Sequence, residues 1–266
     1  MNQLSANVER FSGFADLYDR CRPSPPVILA EILQRLAGAG FPRLVVDLGS
    51  GTGLSTRYWA EKAEHVIGIE PSDDMRHQAE ARTQSSNITY RSGYSHATGL
   101  PDACTQIVAC SQALHWMEPQ PTCEEVRRIL QPGGVFAAFD YDWPPTTGCW
   151  QADAAYNLCI QQARQIEKNL PDLGLKQWEK SQHLSRMQIS GCFRFTKEIV
   201  LHHTDLGNAE RLVGLALSQG GIQTLLKNHY TEAEIGIESL RQTTEDVLEA
   251  QPRIWYWSCH VRIGVV

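Results

Sequence analysis

The sequence has no basic tract of the kind that follows a phosphate backbone: Lys and Arg number 24 against 30 Asp and Glu, a formal net charge of −6. A dedicated nucleic-acid surface is therefore not expected. No apolar run approaches the roughly 20 residues of a membrane-spanning helix, so no membrane partner is expected either. The first residues, MNQLSANVERF, are polar and include Glu9 and Arg10, unlike a signal peptide. Together these absences predict a cytoplasmic protein. The eight cysteines (Cys21, Cys104, Cys110, Cys123, Cys149, Cys159, Cys192 and Cys259) contain no C-x-x-C pair and are scattered through apolar segments. Neither a disulfide framework nor a zinc site is expected, and the thiols should serve as small apolar residues. Other metal-binding patterns are lacking too. His202 and His203 are neighbours on a presumed strand and point to opposite faces, and Asp153, Glu167 and Asp172 are too dispersed to share an ion.

What is present is an alternation. RLVVDL (43–48), HVIGIE (65–70), NITYRS (87–92), QIVACS (106–111) and GVFAAFDY (134–141) read as buried strands, with helical patterns at 54–62, 73–82 and 122–130 between them. Such alternation predicts an α/β fold, a Rossmann-like doubly wound sheet that is mostly parallel and covered by helices. LQPGG (130–134) reads as the turn into the fifth strand. After Tyr141 the rhythm changes: a loop at 142–148, helices at 151–170, 209–227 and 231–249, and strands at 193–206 and 253–266 that bring the sheet to seven and run antiparallel to each other or to their neighbours. The expected organisation is a single domain over 1–266. It has a cofactor-covering segment at 1–30, a cofactor-binding half at 40–145, a helical cap at 146–191 and sheet-completing elements at 192–266.

VVDLGSGTGLS (45–55) sets Gly49, Gly51 and Gly53 between the first strand and a helix, where glycine lets a backbone approach a ligand and the helix start attracts negative charge. A tight turn alone would also explain three glycines. Glu70, however, ends the second strand 23 positions after Asp47, close to the spacing at which an acidic side chain meets ribose hydroxyls. The dinucleotide fingerprint G-x-G-x-x-G would need glycine where Leu54 stands, and Asp47 would repel a pyrophosphate. Asp47 suits an ammonium group instead. Ribose, adenine, an ammonium and a carboxylate occur together in S-adenosylmethionine.

VVDLGSGTG, GIEPSDDM, GLPDA, CSQALHWM and LQPGGVFAAFDY follow in order. With them the chain closely resembles the class I S-adenosylmethionine-dependent methyltransferases, within them the small-molecule group that includes trans-aconitate methyltransferase. The likeness covers 11–141 well and the remainder in general pattern. It implies that Asp47, Gly49, Ser50, Gly51 and Gly53 line the methionine and ribose of the cofactor and that Glu70 takes the ribose hydroxyls. It places Pro71, Ser72 and Met75 along the adenine, and Ser95 and His96 at the adenine edge, where the family often has an acidic residue and this chain has GYSHATG. Ser111 and Gln112 would face the methionine moiety. Tyr18 and Arg22, within FADLYDRCRPSPP (14–26), would fold over the cofactor.

Methyl transfer from a sulfonium is an in-line displacement, so alignment is the main demand on the protein. A base is needed only when the acceptor loses a proton. His115 is the candidate catalytic residue for that step; its other possible roles are to fix the strand–helix corner or to form a polar wall. Trp116 reads as a wall of the acceptor pocket, and Tyr141, Asp142 and Trp143, at the carboxyl end of a strand, as substrate-facing or as loop anchors. The proline pair in DYDWPP follows the fifth strand. It is therefore not equated with the D/N-P-P-aromatic motif of amino-group methylation, which follows the fourth. The expected activity is methyl transfer to a small-molecule acceptor by a monomer or homodimer. Methylation of RNA or protein, a non-methylating cofactor-binding protein and a nicotinamide oxidoreductase are the rival readings.

Overall fold

The computed structural model describes residues 15–171, 176–248 and 250–266. They gather into two compact units that interleave along the chain. The larger holds Ser24–Tyr141, Lys176–Leu201 and Cys259–Val266; the smaller holds the described parts of Met1–Pro23, Asp142–Leu175 and His202–Ser258. The expected cap at 146–191 is thus divided between the two, and of the segment expected to cover the cofactor, residues 1–14 lie outside the described residues, as does Asp172.

The strands are β1 (Leu44–Leu48), β2 (His65–Ile69), β3 (Ile88–Arg91), β4 (Thr105–Ser111), β5 (Leu130–Tyr141), β6 (Phe195–Gly207) and β7 (Arg253–Val265). They form one seven-stranded sheet in the order β3-β2-β1-β4-β5-β7-β6. Pairing is parallel from β3 through β5, and β7 runs antiparallel to β5. The doubly wound, mostly parallel fold is therefore the one the alternation predicts. Residues 135–141 of β5 are all buried, as expected of a central strand covered on both faces. Val46, Leu48, Val108, Phe136 and Ala138 join Val126 and Ile129 in the core.

Strand order reverses between β1 and β4, which lie side by side at the centre, and open α/β sheets bind ligands outside the carboxyl ends of their strands at such a switch. Register lines those ends up: Leu48 is level with Ile69, Asp47 with Ala109, and Ser111 with Phe139.

Among the helices of the larger unit are α2 (Val27–Leu36), α3 (Leu54–Tyr58), α4 (Asp73–Arg82), α5 (Pro119–Ile129) and α7 (His183–Ile189). Helix α4 matches its predicted bounds because Ser72 caps it, accepting from the Met75 amide at 3.3 Å. Helix α5 starts earlier than predicted, since Pro119 opens it. LQPGG is not a plain turn. It lies within β5, where the register with β4 shifts between Thr105 and Ile107 and Gly133 takes a φ of 81°.

The smaller unit is mainly helical: α1 (Ala15–Cys21), α6 (Trp150–Glu167), α8 (Ala209–Leu217), α9 (Gly220–Lys227), α10 (Glu232–Ile235) and α11 (Ile237–Val247). Two helices predicted as continuous are each broken. The first stops at Ser218 and restarts at Gly220, and the second bends at Gly236, whose φ of 90° ends α10. A Cβ on Gly214 would collide with the Cys21 sulfur, so glycine lets α1 approach α8 closely.

Candidate functional site

In the larger unit the glycine loop leaves β1 with Gly49, Gly51 and Gly53 all at positive φ, 66°, 52° and 82°. Their surroundings differ. A Cβ on Gly49 would lie 2.7 Å from both Ala113 Cβ and Met117 Cε, and one on Gly53 would strike the Tyr90 hydroxyl. One on Gly51 would meet nothing within 4 Å. Gly49 and Gly53 are packed against protein, and Gly51 is the glycine that faces open space.

Glu70 reaches across to this loop. Its Oε2 accepts from the Gly51 amide at 3.0 Å and its Oε1 from the Ser72 amide at 3.0 Å. It is 9% exposed, and burial raises its carboxyl above the ordinary range against those two donors. Pro71, Ser72 and Met75 follow directly, with Ser72 and Met75 buried at the start of α4.

Asp47 is fully buried at the end of β1. Its Oδ2 accepts from the Ser55 and Thr56 hydroxyls at 2.6 Å each, which ties the strand to α3, and its Oδ1 has no hydrogen-bond partner. Burial pushes this carboxyl up to about 6, against the two hydroxyls, and nearby Glu70 adds to the rise. Ser50, also buried, has a hydroxyl without a partner. One Asp47 oxygen is thus taken, and the other is buried and unpaired. The Ser95 hydroxyl is paired with Thr122 Oγ1 at 2.8 Å, while His96 stacks on Tyr94 with ring centroids 5.5 Å apart.

At the end of β4, Ser111 is half-buried and Gln112 takes a φ of 50°, uncommon for a non-glycine residue, its amide donating to the Phe139 carbonyl at 2.8 Å. The chain then makes a single 3-10 turn, Leu114–Trp116, packed against Gly49 through the flanking Ala113 and Met117. His115 is 7% exposed, its ring centroid is 4.8 Å from that of Trp116, and its carbonyl accepts from the Trp178 amide at 2.9 Å.

Beside His115 lies a group of charges that motif reading overlooked. Asp140 Oδ1 is 3.9 Å from His115 Nδ1 and 2.6 Å from Lys180 Nζ, and Asp140 Oδ2 is 3.0 Å from an Arg262 terminal nitrogen. Arg262 Nε in turn meets Glu198 Oε2 at 2.6 Å. Burial alone would raise the Asp140 carboxyl, but Lys180, His115 and Arg262 hold it below the ordinary range. A signal was available: a charge inside an otherwise apolar strand, as in GVFAAFDY and again in CHVRIGVV, needs a partner. Which partner it finds is not written locally.

Tyr141 belongs to this unit, is buried, and donates its hydroxyl to the Ser24 carbonyl at 3.1 Å. The other expected site residues lie in the smaller unit. Arg22 stacks between the Tyr18 and Trp143 rings, 4.7 and 4.5 Å from their centroids, and donates to the Ser218 hydroxyl at 2.8 Å and carbonyl at 2.7 Å. The Asp142 amide donates to the Ser258 carbonyl at 3.0 Å. All eight cysteines are free thiols, and among the described residues no cluster of His, Cys, Asp or Glu has the makings of a metal site and no helix is long and apolar enough to cross a membrane.

Residues 46–138 match the family described as "Methyltransferase domain". Over 125 residues the chain is 32% identical to an uncharacterized methyltransferase of Mycobacterium tuberculosis (strain ATCC 25618 / H37Rv), covering 47% of this chain and 49% of that one. Over 141 residues it is 35% identical to malonyl-[acyl-carrier protein] O-methyltransferase of Pectobacterium atrosepticum, covering 50% and 51%. The chain thus spans about half the length of these curated relatives. Among solved structures, a protein of Anaeromyxobacter dehalogenans proposed to be a type II methyltransferase aligns over 92% of this chain and 97% of its own, with a TM-score of 0.65 at 22% identity. The [4+2]-cyclase SpnF aligns over 98% and 96% with a TM-score of 0.52 at 17% identity. Likeness at these identities shows the fold alone.

Proposed function

We propose that this protein is an S-adenosylmethionine-dependent methyltransferase acting on a small-molecule acceptor, sharing the sequence pattern though not necessarily the acceptor of the group that includes trans-aconitate methyltransferase, and that it works in the cytoplasm. The observation that carries the cofactor assignment is Glu70, a buried carboxylate bonded to the Gly51 amide beside the one glycine of the loop that faces open space. A carboxylate there suits a ribose diol, since it accepts and cannot donate. The unpaired Asp47 oxygen suits an ammonium group, and the methyltransferase-domain match spans the same residues.

When bound, the cofactor supplies a sulfonium methyl, an electrophile with a good leaving group. The chain's own residues then do the rest. Glu70 and the Gly51 loop fix the nucleoside, Ser72 and Met75 line the adenine side, and Ser111 and Gln112 lie where β4 ends. Trp116 supplies an aromatic face of the kind that attracts a cation. His115 stands on the turn packed against Gly49, close to the cofactor loop, and serves as the proton-accepting residue when the acceptor needs one.

Calorimetric titration with S-adenosylmethionine, S-adenosylhomocysteine and NAD tests the assignment. Heat is expected with the first two, and its absence there overturns the assignment, whether or not NAD binds. A screen of metabolites with a radiolabelled methyl donor then identifies the acceptor, with a malonyl thioester in the panel because of the Pectobacterium relative. A protein of this fold named as a [4+2]-cyclase prompts a second reading, a catalyst that transfers no methyl group. Product carrying no label, formed with the cofactor intact, would favour that reading.

A further inference from the structure

We infer that Asp140 is the positioning residue of His115, and that the site is therefore built for an acceptor that surrenders a proton, such as a hydroxyl, a phenol or an N–H, rather than for a carboxylate. This rests on the methyltransferase reading above. The geometry carries it. Asp140 is 5% exposed on a central strand and faces His115 Nδ1 at 3.9 Å, a separation that closes to a hydrogen bond with a small movement. Its carboxylate is fixed from two sides, by Lys180 on Oδ1 and Arg262 on Oδ2, so it stays charged and cannot swing away. The segment that brings Lys180 also pins the His115 backbone through the Trp178 amide.

A carboxylate facing Nδ1 holds the neutral ring with its proton on Nδ1, which leaves Nε2 with the lone pair. In the reaction the acceptor oxygen or nitrogen forms its bond to the methyl carbon as the carbon–sulfur bond breaks. The electron pair of that bond stays on sulfur, which becomes a neutral thioether. The acceptor proton passes to His115 Nε2, and Asp140 faces the resulting imidazolium.

Asp140 from β5 faces the ring, and Lys180 from the turn before α7 and Arg262 from β7 flank Asp140. Farther out, Glu198 of β6 meets Arg262 and His260 of β7, while His183 of α7 and the Cys110 thiol of β4 lie in the field of Asp140. Asp140 and Glu198 balance Lys180 and Arg262. Burial and the neighbouring cations keep His183 neutral, at about 4. Asp140 is buried while the Lys180 side chain is 36% exposed, so solvent screens the opposing cation more than the favouring anion.

The test uses the full chain and nitrogen NMR of the His115 ring, assigned by its loss in His115→Gln. In the wild-type protein the neutral ring is expected to carry its proton on Nδ1. Asp140→Asn should lower the His115 pKa by about one pH unit or more, and Lys180→Met should raise it, since the two charges act in opposite directions. Opposite shifts show that both charges reach the ring, and the wild-type Nδ1 proton is the readout that nearby charge alone would not fix. A proton on Nε2 in the wild-type ring, or shifts that are absent or share a sign, overturns the inference. If Asp140→Asn does not fold, the wild-type tautomer and Lys180→Met decide it alone. S-adenosylhomocysteine calorimetry on the wild-type protein separates the two levels: no binding removes the methyltransferase reading, whereas normal binding with the wrong tautomer removes only the role of Asp140.

Discussion

Alanine at Gly49 and at Gly51 should fail in different ways, although both residues sit in one loop at positive φ. Each substitution places a Cβ in the left-handed region, at about 1–2 kcal/mol. Each also recovers about 0.4–1 kcal/mol by restricting the unfolded chain. At Gly51 the ledger stops there, because the new Cβ meets nothing within 4 Å. At Gly49 it adds two contacts of 2.7 Å. Met117 Cε, the end of a flexible side chain, can move aside; Ala113 Cβ cannot move without its backbone. Overpacking of this sort costs about 1–3 kcal/mol more. Urea unfolding should therefore show Gly49→Ala less stable than Gly51→Ala by about 1–3 kcal/mol. Calorimetry should reverse the order, with Gly51→Ala weakening S-adenosylhomocysteine at least about tenfold, or 1.4 kcal/mol, because its Cβ enters the space assigned to the ligand. Equal stabilities for the two variants, or wild-type affinity in Gly51→Ala, would refute this account of the loop.

Other outcomes follow from the same structure. Asp47 is held at about 6 in the folded chain against an ordinary value of 3.8, so the native state binds the proton more tightly. Stability should rise as pH falls from 7 towards 4, by on the order of 2 kcal/mol, and urea melts of Asp47→Asn should lack that part of the pH dependence. Glu125, held at about 2 by Arg128 and by Thr98, contributes stability that is present above its usual 4.5 and lost as pH falls through about 2. Glu125→Gln should cost about 1–3 kcal/mol at pH 7 in urea unfolding while leaving S-adenosylhomocysteine binding at its wild-type strength. Arg22→Lys loses a planar fork stacked on Tyr18 and Trp143 and bonded to Ser218, and should speed hydrogen exchange along α8; unchanged protection would show that the stacking contributes nothing there.

How much of this was legible in advance depended on how local the cause was. β1, the glycine loop and Glu70 were readable because glycine at positive φ and an acid at the end of a strand are written in consecutive residues. Helix α4 was readable to the residue because its cap, Ser72, stands next to it. The breaks at Ser218 and Gly236 were not read, since helical periodicity continues on both sides of each. LQPGG signalled punctuation correctly but not its form, because a turn and a bulge use the same residues and only pairing with β4 distinguishes them.

The sequence by itself determined the strand–helix alternation, the loop at the switch point and the carboxylate that reaches it, all of which follow from short-range stereochemistry and hydrophobic periodicity. Only the tertiary structure decided what stands beside His115. Asp140, Lys180, Glu198 and Arg262 come from four separate stretches, and nothing in any one of them names the others. A buried charge must find its opposite, but which opposite it finds is set by sheet register and by the path of the chain after Lys176.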